Sequence, residues 1–232
     1  MINIIEKSKC NGCYACATAC PKRCITMTVD EEGFWYPEID TTSCVNCDAC
    51  IKVCPIETSY TPLTKKNITA YAAMHKEDFV RLNSSSGGIF SALATYVLEK
   101  GGVVFGAGLD EEFNVVHTYV ENVEDLTVLR GSKYVQSKIG EAYKEAENFL
   151  KNGKLVYFSG TPCQIEGLLA YLKRPYENLI TQDLICHGVP SPKVWREYVD
   201  YRRAEANGAK PRKIAFRAKN EGWKRYSVAF SN

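Results

Sequence analysis

The run Cys10-Asn-Gly-Cys13-Tyr-Ala-Cys16-Ala-Thr-Ala-Cys20-Pro21 returns further along the chain as Cys44-Val-Asn-Cys47-Asp-Ala-Cys50-Ile-Lys-Val-Cys54-Pro55. Both copies read C-x2-C-x2-C-x3-C-P, a spacing by which thiolates surround 4Fe–4S cubanes. A cubane takes four thiolates at the corners of a tetrahedron. The first three cysteines of a run fold around one cluster. The fourth is carried off by a helical turn and reaches the other cluster. The expected sets are therefore Cys10, Cys13, Cys16 and Cys54 for cluster 1, and Cys44, Cys47, Cys50 and Cys20 for cluster 2. Pro21 and Pro55 turn the chain away after each fourth ligand. A chain with such a pair moves electrons one at a time.

Disulfides and zinc account for these cysteines less well. A disulfide framework belongs to a secreted chain, and Met1-Ile-Asn-Ile-Ile-Glu-Lys7 lacks the apolar stretch and cleavage site of a signal peptide. Zinc leaves the repetition and the two prolines without a reason. Cys24 fits neither run and is expected as a buried small residue.

Nine of the eleven cysteines fall within the first 54 residues of the 232, which marks a small module ahead of one ordinary domain. The expected boundaries are a dicluster module over 1–58, a linker over 59–66 (Ser-Tyr-Thr-Pro-Leu-Thr-Lys-Lys) and a second domain over 67–232. The 29 Lys and Arg residues against 27 Asp and Glu leave a net charge of +2, scattered rather than striped, so nucleic acid is not an expected partner. No apolar run reaches the length of a membrane span. Reduced thiols and oxygen-sensitive clusters point to the cytoplasm of an anaerobe or facultative anaerobe.

Within the module, Ile25-Thr-Met-Thr-Val29 and Gly33-Phe-Trp-Tyr-Pro37 flank the acidic turn Asp30-Glu-Glu32 and predict a hairpin. Each half should contribute a short strand, a cluster loop and a helical turn. In the second domain, Ser84-Ser-Ser offers hydroxyl N-caps to a helix with the apolar face Ile89, Phe90, Leu93, Val97 and Leu98. Strands are expected at 103–107, 115–120, 155–158 and 179–186, and helices at 141–151, 165–172 and 192–205. Ile214-Ala-Phe216 and Tyr226-Ser-Val-Ala-Phe230 read as a closing strand pair. The expected class is α+β: a bacterial-ferredoxin-like dicluster module followed by a mixed α/β layered domain. The chain stops directly after its last strand, which fits equally an edge strand or a domain that continues past Asn232.

Three turns in the second domain carry chemistry. Ser159-Gly-Thr-Pro-Cys163-Gln164 joins a strand to a helix. Gly160 allows close backbone approach, Pro162 suits the first helical turn, and Thr161 and Gln164 flank a cysteine placed where the helix dipole lowers a thiol pKa. Cys163 is open to three readings: a nucleophile, a metal ligand, or a thiol beside a cofactor. Asp183-Leu-Ile-Cys186-His187-Gly188 ends the next strand, so Cys163 and Cys186 are expected to face one crevice. The backbone amides of Ser86, Gly87, Gly88 and Ile89 form an anion seat fit for a pyrophosphate, which Arg130 and Lys133 can reinforce.

In this order, the dicluster runs, Ser86-Gly-Gly-Ile-Phe-Ser-Ala-Leu93, Leu129-Arg-Gly-Ser-Lys-Tyr-Val-Gln-Ser137, Gly160-Thr-Pro-Cys-Gln-Ile165 and Cys186-His-Gly-Val-Pro-Ser-Pro192 span nearly the whole chain. The set resembles the coenzyme F420 hydrogenase/dehydrogenase beta subunit family, in its bacterial form with a ferredoxin domain fused in front. The resemblance implies an iron–sulfur flavoprotein that holds FAD and passes electrons between clusters and a hydride-accepting substrate. Ser86, Gly87, Gly88 and Ile89 match a flavin-contacting helix start, and Gly131, Ser132, Lys133 and Tyr134 a second flavin-lining turn. Cys163 and Cys186 match two ligands of a third 4Fe–4S cluster. The family completes that cluster from a later Cys-x2-Cys, and this chain has no cysteine after Cys186. Expected partners are a redox protein or further oxidoreductase subunit and a small hydride donor or acceptor. Two rival readings stand beside this one: a ferredoxin-like carrier whose second domain is a docking module without flavin, and a transferase with Cys163 as thiol nucleophile. One cluster should face the crevice formed by Ser86–Gly88, Gly131–Tyr134 and the Cys163 helix start.

Overall fold

The computed structural model describes residues 1–2, 6–58 and 68–231. The linker expected at 59–66 lies outside the described residues, as does the start of the first half-repeat at 3–5. Among the described residues no helix is long and apolar enough to cross a membrane.

The N-terminal module has the order loop, α1 (Ala15–Ala19), β1 (Ile25–Val29), β2 (Trp35–Ile39), loop and α2 (Ala49–Lys52). The two strands pair antiparallel, with Ile25 opposite Ile39 and Val29 opposite Trp35. The hairpin is the expected one, but its second strand begins two residues later than predicted. Gly33 is needed in the turn, where it adopts φ 92°.

The second domain opens with a short helix that sequence periodicity does not reveal, α3 (Asp78–Leu82), followed by α4 (Ile89–Glu99). A four-stranded sheet in the order β4-β3-β5-β6 follows, from β3 (Val103–Leu109), β4 (Val115–Val120), β5 (Val156–Gly160) and β6 (Leu179–Asp183). β3 and β4 are antiparallel across the turn at Asp110, whose carboxylate accepts from the amides of Glu112 and Asn114. β3, β5 and β6 are parallel. Helices α5 (Ala142–Lys151) and α6 (Pro162–Leu172) provide the crossovers. Then come α7 (Pro192–Glu205) and the hairpin β7 (Lys213–Ala218) and β8 (Ser227–Ser231).

The central strands show why the sequence there is apolar without alternation. Val103, Phe105, Val156 and Phe158 enter one core with Tyr143, Ala146 and Leu168 of α5 and α6. Their neighbours Val104 and Tyr157 enter the opposite core with Ala94 and Val97 of α4 and with Leu126 and Leu129. A strand covered on both faces must be apolar on both faces. α7 lies to one side and packs through Trp195 and Val199 on Ile214 and Phe216, with the Trp195 and Phe216 rings 4.4 Å apart.

Several expected bounds move. α6 begins at Pro162 rather than Ile165, because a capping box closes the turn: Thr161 and Gln164 each bond the other's backbone. β6 ends at Asp183 rather than Cys186, and residues 184–190 form no regular element. The serine caps expected on α4 are absent. Its N-cap is Gly88 in the left-handed region at φ 83°, with no side-chain hydrogen bond. The serines bond elsewhere: Ser84 Oγ donates to Val80 O, and Ser85 Oγ accepts from the amide of Ser132.

Phe158 is fully buried, stacked on Phe105 at 5.3 Å and on His117 at 5.4 Å. Phe158→Ala is expected to lower the unfolding free energy by about 3–5 kcal/mol in chemical denaturation, the range for emptying a buried aromatic site. The iron content of the N-terminal module should survive, since Phe158 lines neither cysteine cavity.

Candidate functional site

The two cysteine runs close around two cavities. The first is lined by Cys10, Cys13, Cys16 and Cys54. The second is lined by Cys44, Cys47, Cys50 and Cys20. In each case the fourth sulfur comes from the other run. The loops wrap their cavities by one backbone device used twice. Gly12 and Tyr14 adopt φ 59° and 67°, and their counterparts Asn46 and Asp48 adopt φ 52° and 57°. Alternating left-handed residues turn successive amides toward a common centre, a concavity suited to an anionic cluster.

Burial pushes the Cys13 thiol up to about 12 and raises Cys16 as well, chiefly by desolvation. Such a group of sulfurs is stable as thiolates only beside positive charge, which the iron of a cluster supplies; coordination deprotonates a thiol outright. The residues present therefore fit two cubanes. Cys24 is buried as expected, but it also faces the second cavity, with its Sγ 3.3 Å from Cys20 Sγ. That hydrogen bond to Cys20 leads the causes that push Cys24 up to about 11. Burial opposes ionisation of Cys20, yet hydrogen bonds from Cys24 and from the amides of Lys22 and Arg23 hold it below its ordinary value. Of the pair, Cys20 is the sulfur prepared to be a thiolate.

Beside the first cavity lies a crevice of about 1000 Å³, at the end of the sheet where β5 and β6 stop. Three turns predicted separately from sequence meet on its walls: Ser86, Gly87, Gly88 and Ile89; Arg130, Gly131, Ser132, Lys133 and Tyr134; and Gly160, Thr161, Pro162, Cys163 and Gln164. Cys186 and His187 line it too, and so does Cys10 of the first cluster loop. The amide of Ser132 donates to Ser85 Oγ at 2.6 Å, which stitches the first two turns together. The first-turn residues of α4, Ile89, Phe90 and Ser91, line the crevice, and their amides have no acceptor within the helix.

The basic residues behave differently from expectation. Arg130 Nε donates to Ser91 Oγ at 3.2 Å, which holds the guanidinium at the wall. Lys133 Nζ points back at its own turn and donates to Val128 O and Arg130 O at 3.1 and 3.0 Å. Burial lowers its pKa to about 8. Gly87 also differs: a β-carbon there would lie 3.0 Å from Ala73 O, so its freedom from a side chain serves the 73–75 segment, whose His75 amide bonds Gly87 O at 2.6 Å. Cys163 is not activated by its helix. Burial is the largest influence and raises its pKa, Cys186 raises it further, and the Thr161 hydroxyl at 3.2 Å and nearby amides do not offset them. A raised thiol pKa disfavours the nucleophile reading.

Sequence reasoning assigns no role to His117, Gln136 or Ser137, yet all three hold the site together. His117 Nε2 lies 3.0 Å from Ser159 O, which can only accept, so Nε2 carries the proton. Nδ1 then accepts from Ser137 Oγ at 2.9 Å, and Ser137 Oγ accepts from Gln164 Nε2 at 2.8 Å. Gln164 Oε1 in turn accepts from the Thr161 amide at 2.9 Å. This chain of bonds fixes the Gly160–Gln164 turn to β4 and to the 131–137 segment. A lone histidine in a strand gives no local signal of it. Gln136 Oε1 accepts from the Trp35 amide at 3.3 Å and joins the domain to the module.

Against this geometry, a 4Fe–4S dicluster domain model matches residues 9–58. The models "Coenzyme F420 hydrogenase/dehydrogenase, beta subunit", N-terminal and C-terminal parts, match residues 70–144 and 153–230. The chain belongs to the coenzyme F420 hydrogenase/dehydrogenase beta subunit family and carries an iron–sulfur dicluster domain in front. It is 30% identical over 194 residues to the coenzyme F420-dependent sulfite reductase of Methanocaldococcus jannaschii, a match covering 81% of this chain and 29% of that protein. It is 37% identical over 80 residues to NADH-quinone oxidoreductase subunit I 2 of Geobacter metallireducens, covering 32% of this chain and 58% of that one. The chain thus spans well under two thirds of these relatives' lengths. Among solved structures, the F420-reducing NiFe hydrogenase complex of Methanosarcina barkeri is similar at 22% identity and a TM-score of 0.47, over 68% of this chain and 58% of that chain.

His117 is buried, and desolvation lowers its pKa from 6.5 to about 4. The folded state keeps it neutral where the unfolded chain protonates it, so its contribution to stability is present above the unfolded value and is lost as pH falls toward 4. Gln can make both hydrogen bonds without titrating. Between pH 7 and pH 5 the cluster-loaded His117→Gln protein should therefore lose about 2 kcal/mol less unfolding free energy than wild type in urea titrations.

Proposed function

We propose that this chain is the electron-relaying flavoprotein part of an oxidoreductase, in which two 4Fe–4S clusters exchange electrons with a flavin seated in the crevice. Cys10, Cys13, Cys16 and Cys54 hold cluster 1, and Cys44, Cys47, Cys50 and Cys20 hold cluster 2. The observation that carries the reading is the convergence of the Ser86–Ile89, Arg130–Tyr134 and Gly160–Gln164 turns on one crevice that Cys10 also lines. The clusters supply single electrons. A bound flavin supplies storage of two and their exchange as hydride with a substrate.

The residues do the rest. The amides at the start of α4 and the Arg130 guanidinium receive the anionic part of the cofactor. Lys133 adds its charge below about pH 8, so binding should weaken as pH rises through that value. The His117–Ser137–Gln164 network holds the Thr161 turn in place at the crevice wall. Partial third-cluster ligation by Cys163 and Cys186 requires further ligands, since those two are the only cysteines between residues 67 and 232. The whole reaction, its hydride donor or acceptor and its partner subunits belong to the same proposal; the curated relatives named for coenzyme F420 and for quinone oxidoreduction support a redox role.

Protein purified anaerobically with flavin supplied should carry about eight irons, four for each cubane. After the clusters are bleached, heat or acid should release a flavin chromophore. Absence of flavin would leave the carrier reading. Gly87→Val should displace the 73–75 segment from the crevice wall and lower flavin content while iron stays unchanged. Cys47→Ala should do the reverse, removing about half the iron and leaving flavin bound. Full flavin and full turnover in Gly87→Val would place the cofactor elsewhere.

A further inference from the structure

The duplicated module contains its own control, because each position of one cluster loop has a counterpart in the other. Gly12 is buried, and a β-carbon there would lie 2.7 Å from Gln136 Nε2 and 2.8 Å from Trp35 O. Its counterpart Asn46 is exposed. Tyr14 is 6% exposed and sits in the main core of the second domain; its counterpart Asp48 is exposed, held by the Met1 amine at 2.8 Å. Cys13 lies against α6, whereas Cys47 is exposed beside Val45, itself 56% exposed.

The contact on α6 is made by Gly167. A β-carbon at Gly167 would lie 3.1 and 3.2 Å from Cys13 Cβ and Sγ, and 3.0 Å from the Tyr143 hydroxyl. Glycine inside a helix weakens it, so its use here is to admit the Cys13 and Tyr143 side chains close to the helix. One turn earlier on the same helix, Cys163 lines both the first cysteine cavity and the crevice.

We propose that the two clusters have fixed and different places in the relay. Cluster 2 is the outer terminal, where single electrons pass to or from a protein with its own one-electron centre. Cluster 1 is the inner terminal, seated on α6 through Gly167, and it alone exchanges with the crevice. This order rests on the function proposed above and adds a direction to it. The internal step transfers one electron: the outer cluster is oxidised as the inner is reduced, with no bond made or broken, and the partner protein restores the outer one. The surface around Cys47 suits such a partner. Val45 and Cys47 are exposed there, and the Val45–Asp48 loop carries a single ionised side chain, Asp48, so few charges lose water when a protein approaches. Gly167 acts as a positioning residue, since it touches a ligand-bearing loop and no reacting atom.

The test uses the anaerobically reduced, cluster-loaded chain and a soluble lanthanide chelate too large to enter the fold. Electron paramagnetic resonance reads how strongly the chelate relaxes each cluster, with Cys47→Ser and Cys13→Ser assigning the outer and inner signals. The outer cluster should be relaxed several-fold more than the inner. Equal relaxation, or the opposite order, overturns the proposal. Gly167→Leu should lift the inner loop from α6, keep the iron, and make the inner cluster as accessible as the outer; an inner cluster that stays sheltered overturns the seat. Should that variant fail to fold, Gly167→Ala asks Cys13 to yield by only a few tenths of an ångström. It should shift the midpoint potential of the inner cluster and leave the outer unchanged, and an unmoved inner potential counts against the seat. A chain found without flavin defeats the proposed function and leaves the relaxation contrast measurable. Equal relaxation in a flavin-loaded chain defeats the order alone.

Discussion

Each cysteine cavity is closed by a sulfur from the opposite run, and that exchange is the constraint from which the rest follows. Cys20 leaves the first loop on α1 and completes the second cavity; Cys54 leaves the second on α2 and completes the first. Neither half can form its site alone. The hairpin β1–β2 between them must therefore hold the halves at one distance, and its antiparallel register does so. Thiols as buried as Cys13 and Cys16 resist ionisation by themselves. Folding of the module and binding of its iron are thus coupled processes, as metal binding and folding are wherever the ligands meet only in the folded state.

The second domain depends on the same module for one wall. α1 packs on α6 through Ala15 and Ala170, with Val53 from the end of α2 buried beside them. Tyr14 extends from the first cluster loop into the core that holds Phe105 and Phe158. Lys193 Nζ bonds Glu31 O at 3.0 Å on the far side of the seam. Because Cys10–Gly12 and Phe34–Tyr36 line the crevice, its shape depends on the module as well as on the sheet.

The crevice itself follows from a general property of parallel strands. Where β5 and β6 end side by side, the loops that follow them open toward the same space. Gly160–Gln164 and residues 184–188 are those loops, and the α4 start and the 129–137 segment complete the enclosure. The His117 network is the internal brace of this arrangement. It lines the crevice floor and runs unbroken from Ser159 O through His117, Ser137 and Gln164 to the Thr161 amide. A brace of neutral groups costs little desolvation and keeps its geometry independent of what binds above it.

The sequence by itself determined the spacing within each cysteine run, the alternation of strands and helices, and the residues of the three turns. These are local matters: thiolate spacing, hydrophobic period and turn residues act within a few positions of each other. Tertiary structure decided the rest. Ser84 and Ser85 have the chemistry of helix caps, yet long-range partners take their hydroxyls and a left-handed Gly88 begins the helix. Cys163 stands at a helix start that should lower its pKa, yet burial outweighs the local dipole and raises it. Cys24 matches no spacing, yet the fold puts its sulfur against Cys20. The two cluster loops are near copies in sequence, and only the domain packed on one of them makes Gly12 buried and Asn46 exposed. Spacing fixes what a residue is able to do near its neighbours in the chain; burial and contacts from distant segments fix which of those abilities survives in the folded protein.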